Sequence, residues 1–293
     1  MKIKTAAKVN LALDVCGMLE NGYHVIKSVF QTVGLYDEIS VELNDASIIT
    51  VNCILPAEFA QSDPVPCGEK NIAYKAARLF LDNVSSEKGC DIIINKGIPS
   101  QAGMGGGSTD AAAVMYCLNR LTGADLDISS LAAMGKEIGA DVPFFFTGGT
   151  AYVSGIGEEI TPLPDYSDRI LVIAKGLQGV STAQAYRAVD SLKLPFHPDS
   201  EKLAAVLKND PGIAYKYFGN IFEDAVSLDE VSHICDTMRS MGALSAVMTG
   251  SGSAVFGMFY DSETALNCCK SLKKQGFFSR VCITTNKAFE YSE

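Results

Sequence analysis

The sequence predicts an α+β protein built as two domains. Stretches with β-branched alternation and stretches with helical spacing interleave along the chain. The strands come in hairpin-like pairs that do not fit one doubly wound sheet. The segment "TPLPDYSD" (161–168), with its two prolines, interrupts the pattern and divides the chain into 1–162 and 163–293.

In the first part, "KIKTAAKVNLALDV" and "GYHVIKSVFQTVGLYDEISVEL" alternate as strands do. "NIAYKAARLFLDNV" has apolar residues at helical spacing, and "CDIIINKGI" is a short strand ended by Gly97 and Pro99. A helical pattern runs from Thr109 to Gly123. A further helix over "SSLAAMGKEIGA" is expected to be capped by Ser129 or Ser130 and closed by Gly139. In the second part, "RILVIAKG" reads as a strand and "STAQAYRAVDSL" as a helix. "LSAVMTGSGSAVFGMF" reads as two strands around a glycine-serine turn, "DSETALNCCKSLKKQG" as a helix, and "SRVCITTN" as the last strand.

Composition narrows the function classes. A chain of 293 residues with 47% hydrophobic and 20% charged residues folds around a sizeable core. A formal net charge of −10 opposes a general nucleic-acid surface, which needs a basic stripe. No window of the sequence reads as a membrane span or a secretory leader, so no membrane partner and a cytoplasmic location are expected. The nine cysteines are scattered, with no C-x-x-C pair and no zinc spacing, as in a reducing compartment.

The most informative stretch is "GIPSQAGMGGGSTDAAAVM", where a strand runs through a glycine-rich turn into a helix. Glycines let the backbone approach a ligand, and the helix start adds free N–H groups and the positive end of its dipole. That arrangement suits a phosphate. Ser108 or Thr109 could cap the helix, bond a phosphate oxygen or bond its Mg2+. The loop is not a Walker A loop, because no lysine precedes Ser108, and a G-x-G-x-x-G fingerprint from Gly103 would need glycine at 108. A purely structural glycine loop is the alternative.

"PSQAGMGGGSTDAAA" resembles the phosphate-binding motif of the GHMP kinases, with Met104 where leucine is usual and Thr109 for serine. "AAKVNLALDVCGMLENGYHVIKSVF", "EIGADVPFFFTGGTAYVSGIGEEITPLP", "GVSTAQAY", "NIFEDAV" and "LSAVMTGSGSAVFGMF" resemble further segments of that family, in order, over nearly the whole chain. They are most similar to its branch acting on a cytidine diphosphate derivative of methylerythritol. The resemblance implies a ribosomal-protein-S5-domain-2-like N-terminal domain and a ferredoxin-like C-terminal domain. It also implies a small-molecule kinase that uses ATP and Mg2+ to phosphorylate the 2-hydroxyl of 4-diphosphocytidyl-2-C-methyl-D-erythritol, in isoprenoid biosynthesis by the non-mevalonate route. We expect a monomer or weak homodimer.

Carried over residue by residue, the resemblance makes Lys8 and Asp141 catalytic, the aspartate accepting the substrate hydroxyl proton and the lysine holding it. Their plainer alternatives are an edge-strand lysine facing solvent and a turn aspartate bonding the next N–H groups. ATP binding falls to Pro99, Ser100, Gln101, Ala102, Gly103 and Met104, with Gly105, Gly106, Gly107, Ser108 and Thr109. The cytidine end falls to Asn10, Tyr23, His24, Phe30 and Tyr186, where an aromatic ring stacks on a pyrimidine and a histidine bonds its polar edge. The turn Gly250–Ser251–Gly252 is expected to close the phosphate site. No glutamate matches the family's acidic Mg2+ ligand, which leaves the metal's ligands unassigned. The competing functions are another GHMP kinase of homoserine or mevalonate type, and a catalytically silent nucleotide-binding relative.

Overall fold

A computed structural model describes residues 1–59, 65–193 and 195–291. The chain runs β1 (Lys2–Met18), β2 (His24–Asn44), β3 (Ile49–Ile54), α1 (Ile72–Asn83), β4 (Gly89–Asn95), α2 (Gly106–Thr122), α3 (Ile128–Ile138), α4 (Val142–Thr147), β5 (Thr150–Ser154) and β6 (Glu159–Pro162). It continues through β7 (Ile170–Lys175), α5 (Thr182–Asp190), α6 (Ser200–Asn209), β8 (Gly219–Asn220), α7 (Phe222–Ala225), α8 (Asp229–Ser240), β9 (Ser245–Met248), β10 (Val255–Phe259), α9 (Ser262–Lys274), β11 (Phe278–Ile283) and β12 (Phe289–Tyr291).

Two sheets result. The first is ordered β12-β1-β2-β4-β3, with β5 and β6 attached along β2 and β8 beside β1. The second is ordered β11-β7-β10-β9, all antiparallel, with α8 and α9 in its crossovers. That strand order is the ferredoxin-like one expected of the C-terminal half. The final strand is not "SRVCITTN": β12 follows it and returns to the first sheet beside β1, pairing Ile3 with Tyr291.

Two hydrophobic faces organise the molecule. On one side of the first sheet, Phe30, Ile39 and Ile92 pack with α1 to α4 around Phe80, Phe144 and Phe145. Residues of the opposite side, such as Val9, Leu11 and Val29, share a core with Leu203 and Leu207 of α6 and with Ile173 and Phe256 of the second sheet. Side chains alternate across a strand, so one strand feeds both cores. β1 and β2 stay antiparallel through three bulges, one of them between Asn10 and Ala12.

Several local expectations need correcting. α2 starts at Gly106 rather than Thr109, with Gly105 in the left-handed region as its N-cap, so neither Ser108 nor Thr109 caps it. α3 is capped by Asp127, whose carboxylate accepts from the Ser130 N–H and the Ser129 hydroxyl; the serines are inside the helix. All nine cysteines are free thiols. Burial pushes those of Cys117 and Cys235 up to about 12, which suppresses the reactive thiolate.

Because Phe256 sits fully buried in the core shared by both sheets, Phe256→Ala should cost about 3–5 kcal/mol. Urea unfolding followed by circular dichroism checks this, with one cooperative transition for the whole chain expected. A cost under about 1 kcal/mol would mean that the sheets do not depend on each other.

Candidate active site

The glycine loop leaves β4 at Lys96 and enters α2 at Gly106, and a buried charge cluster ties its two ends together. Lys96 Nζ contacts the Asp37 carboxylate and donates to Asp110 Oδ2 at 2.9 Å. Asp37 Oδ1 also accepts from the N–H groups of Gly97 (2.7 Å) and Ile98 (2.9 Å). All three side chains are almost fully enclosed. Burial alone would lower the Lys96 pKa, but Asp110 and Asp37 hold it above the ordinary lysine value. Burial raises the Asp110 carboxyl well above the usual carboxylate range, against the pull of Lys96. With one cation between two buried acids, the direction of the Asp110 shift favours its neutral form. Asp110 Oδ1 is buried without a partner among the described residues.

Between these anchors, Ala102 and Met104 turn their side chains into the core with Ile98, which leaves the loop backbone to form the cavity wall. Residues 99–108 all line a cavity of about 480 Å³, together with Lys70, Asn71, Lys96 and Asp110. The N–H groups of Gly106, Gly107 and Ser108 begin α2 and have no intrahelical acceptor, the first such bond being Thr109 to Gly105. Thr109 does not line the cavity. It is fully buried, with its hydroxyl paired to that of Thr5.

The second glycine turn lies against the loop, backbone on backbone. Gly103 has φ +71°, and a Cβ there would come within 2.1 Å of the Thr249 carbonyl oxygen. Ala254 N–H donates to the Ala102 carbonyl, and Lys8 N–H donates to that of Met104.

A second cavity of about 810 Å³ shares Gly103 and Gly105 with the first. Lys8, Asn10, Tyr23, His24, Phe30, Asp141 and Tyr186 all line it, so residues from 8 to 186 converge there. Lys8 is not an edge lysine. β1 is an inner strand, and Lys8 is 4% exposed with its ammonium 3.4 Å from Asp141 Oδ2 and 4.5 Å from the centre of the Phe30 ring. Asp141 precedes α4 but makes no capping bond, so its carboxylate, 30% exposed, faces Lys8.

Asn10 lines the cavity but is 1% exposed and held by the protein: Oδ1 accepts from Lys8 Nζ (2.7 Å) and Gly250 N–H (3.0 Å), and Nδ2 donates to Ser28 (2.9 Å). It is a junction between Lys8 and the second glycine turn. Its position two residues from Lys8 on one strand face carried that signal. Tyr23 is exposed at the tip of the β1–β2 hairpin, while His24 stacks on Tyr186 with ring centres 4.5 Å apart. Burial raises the Tyr186 phenol to about 12. Sequence reasoning missed Lys96, Asp110 and Arg187, a cation lining the larger cavity one residue beyond Tyr186. "NKGIPS" offered Lys96 directly before the loop, but nothing nearby announced its two carboxylate partners.

Models of the GHMP kinase N-terminal and C-terminal domains match residues 71–149 and 203–276. A 4-diphosphocytidyl-2-C-methyl-D-erythritol kinase of Clostridium perfringens is 41% identical over 97% of this chain and 97% of its own. The Clostridium beijerinckii enzyme of the same name is 38% identical over 94% and 96%. The chain belongs to the 4-diphosphocytidyl-2-C-methyl-D-erythritol kinase family of the GHMP kinases. A crystal structure of a 4-(cytidine 5'-diphospho)-2C-methyl-D-erythritol kinase superposes with a TM-score of 0.78 at 31% identity, covering 97% of this chain and 99% of that one. The homoserine kinase of Cytophaga hutchinsonii, at 20% identity and a TM-score of 0.74, shares the fold. The two-domain GHMP kinase fold implied by the sequence is therefore the observed one. No described helix is long and apolar enough to cross a membrane.

A carboxyl with a raised folded-state pKa keeps its proton where the unfolded chain has lost it, so stability falls as pH rises above about 4. Asp110→Asn removes this term. The variant should show a flatter dependence of stability on pH above about 4 and be at least as stable as the parent at neutral pH. Denaturant titrations at several pH values test this, and an unchanged slope would place the proton elsewhere.

Proposed function

We infer that this chain transfers the γ-phosphoryl group of ATP to the 2-hydroxyl of 4-diphosphocytidyl-2-C-methyl-D-erythritol, giving the 2-phosphate and ADP for isoprenoid biosynthesis. The observation carrying this reading is the meeting of two cavities at Gly103 and Gly105, with the Lys8–Asp141 pair on the far side of that wall. A donor site and an acceptor site joined at a glycine backbone suit in-line transfer, for which positioning and charge stabilisation do most of the work.

In this reading the loop backbone and the start of α2 hold the triphosphate. Asp141 orients the acceptor hydroxyl and takes its proton as the bond to phosphorus forms. Carboxylates are weak bases, but in a loose transition state the proton leaves late, so orientation matters more than basicity. Lys8, fixed by Asn10 and Asp141, supplies positive charge beside the transferring group. Phe30 walls the acceptor pocket beneath Lys8, and Tyr23 and Tyr186 are the aromatic surfaces for the cytosine.

Mg2+ fits the residues present in a limited way. Among the described residues no cluster of three or more acidic, histidine or cysteine side chains could hold a metal. Mg2+ usually keeps waters and phosphate oxygens and needs only one or two protein oxygens. Ser108, at the cavity wall, is the residue that would hold it; the ion's chemistry there is to neutralise the phosphate charge.

We also propose the division of the chain at 162/163. β1 to β6 precede it and the whole second sheet follows, with β8 and β12 crossing back to the first.

An ADP-release assay with the cytidine substrate beside homoserine and mevalonate tests the function, with turnover expected only for the first. Asp141→Asn, which keeps the shape of the side chain, should lower kcat by about two to four orders of magnitude. Near-normal turnover in that variant would remove Asp141 from the chemistry.

A further inference from the structure

The nucleobase end of the larger cavity holds an arrangement that the phosphoryl transfer does not use. His24 Nε2 lies 2.8 Å from Asp190 Oδ1, and its ring lies against Tyr186 with planes 25° apart. Tyr186 is braced edge-on by Phe222, the ring centres 5.0 Å apart. Asp190 is the last residue of α5, whose first residue, Thr182, meets Ser251 of the second glycine turn at 3.2 Å. Both ends of α5 are thus tied to the site. Asp190 does not line the larger cavity. It lines a smaller one of about 270 Å³ behind it, and His24 lines both, so the imidazole forms the partition.

A carboxylate can only accept a hydrogen bond, so the hydrogen between the two groups sits on His24 Nε2. In the neutral ring that choice leaves Nδ1 with a lone pair, and Nδ1 has no partner among the described residues. Tyr186 covers one face of the ring. What His24 still offers a ligand in hydrogen bonding is a single acceptor.

We propose that Asp190 is a positioning residue that makes the site selective for an amino-bearing pyrimidine. By accepting the Nε2 hydrogen it fixes both the tautomer and the orientation of His24, so that Nδ1 accepts from the exocyclic amino group of cytosine. A 4-oxo pyrimidine carries a carbonyl at that place, and two acceptors would then face each other unpaired. Rejection of that kind is stronger than the gain from one extra contact, because it leaves desolvated polar groups without partners. Without the carboxylate the ring can turn and exchange tautomers, and an N–H can then serve either base. The inference rests on reading the larger cavity as the cytidine pocket.

The test compares the parent protein with Asp190→Ala, Asp190→Asn and Asp190→Glu, using steady-state kinetics with ATP and the cytidine substrate and calorimetric binding of CMP and UMP. Asp190→Ala should raise KM for the cytidine substrate about tenfold while kcat and KM for ATP stay within about twofold. The preference for CMP over UMP should narrow by at least about fivefold, with Asp190→Glu recovering most of it. If the alanine protein does not fold, the asparagine protein carries the comparison, because its amide can flip and present either an acceptor or a donor to Nε2. Equal weakening of CMP and UMP, an unchanged ratio, or a fall in kcat at constant KM would each overturn the proposal while leaving the kinase reading intact. A parent protein that neither binds CMP nor turns over the cytidine substrate would overturn the kinase reading and this proposal with it.

Discussion

The buried Lys96, held between Asp37 and Asp110, is the constraint on which the rest of the site depends. A loop of ten residues between β4 and α2, rich in glycine, has little reason of its own to keep one shape. The cluster joins the first residue of the loop to the fifth residue of the helix after it, and both to β2. Removing Lys96 would strand two buried acids, and removing Asp37 would leave the Gly97 and Ile98 N–H groups without their acceptor. The loop's shape is therefore secured at its ends, and its middle is free to present backbone to a ligand.

The second site is organised in the same manner, by polar groups spent on one another. Asn10 ties Lys8 to Ser28 and Gly250, and the lysine is thereby aimed at Asp141. Asp141 is available because it caps nothing, although it stands where a capping aspartate would be ordinary. The two cavities then meet across a wall with no side chains. At Gly105 a Cβ would fall 2.7 Å from Phe145, and at Gly103 it would fall on the Thr249 carbonyl.

Much of this was legible in the sequence, for physical reasons that can be named. Long strands and amphipathic helices announce themselves by period, and β1, β2, α1, α5 and α9 were all readable that way. The glycine loop was readable because few backbone arrangements other than an anion cradle call for so many glycines before a helix. What escaped was short or depended on distant partners. α4 spans six residues around "PFFF", too few to show a period. β12 is three residues whose pairing is decided by a strand at the other end of the chain. Thr109 looked like a ligand group because its hydroxyl was visible, whereas the partner that takes it up is Thr5, far from it in the sequence. The Lys96 cluster draws on positions 37, 96 and 110, a spacing that follows no local rule.

The backbone contact between Gly103 and the turn at residues 249–252 has a consequence for how the protein is made. The glycine loop is synthesised long before the turn that covers it. A nascent chain that has released the loop and α2 still lacks the surface against which the loop rests, and β12, which flanks β1, arrives last of all. The loop therefore reaches its observed packing only after residues 249–252 have been made and have folded back onto it.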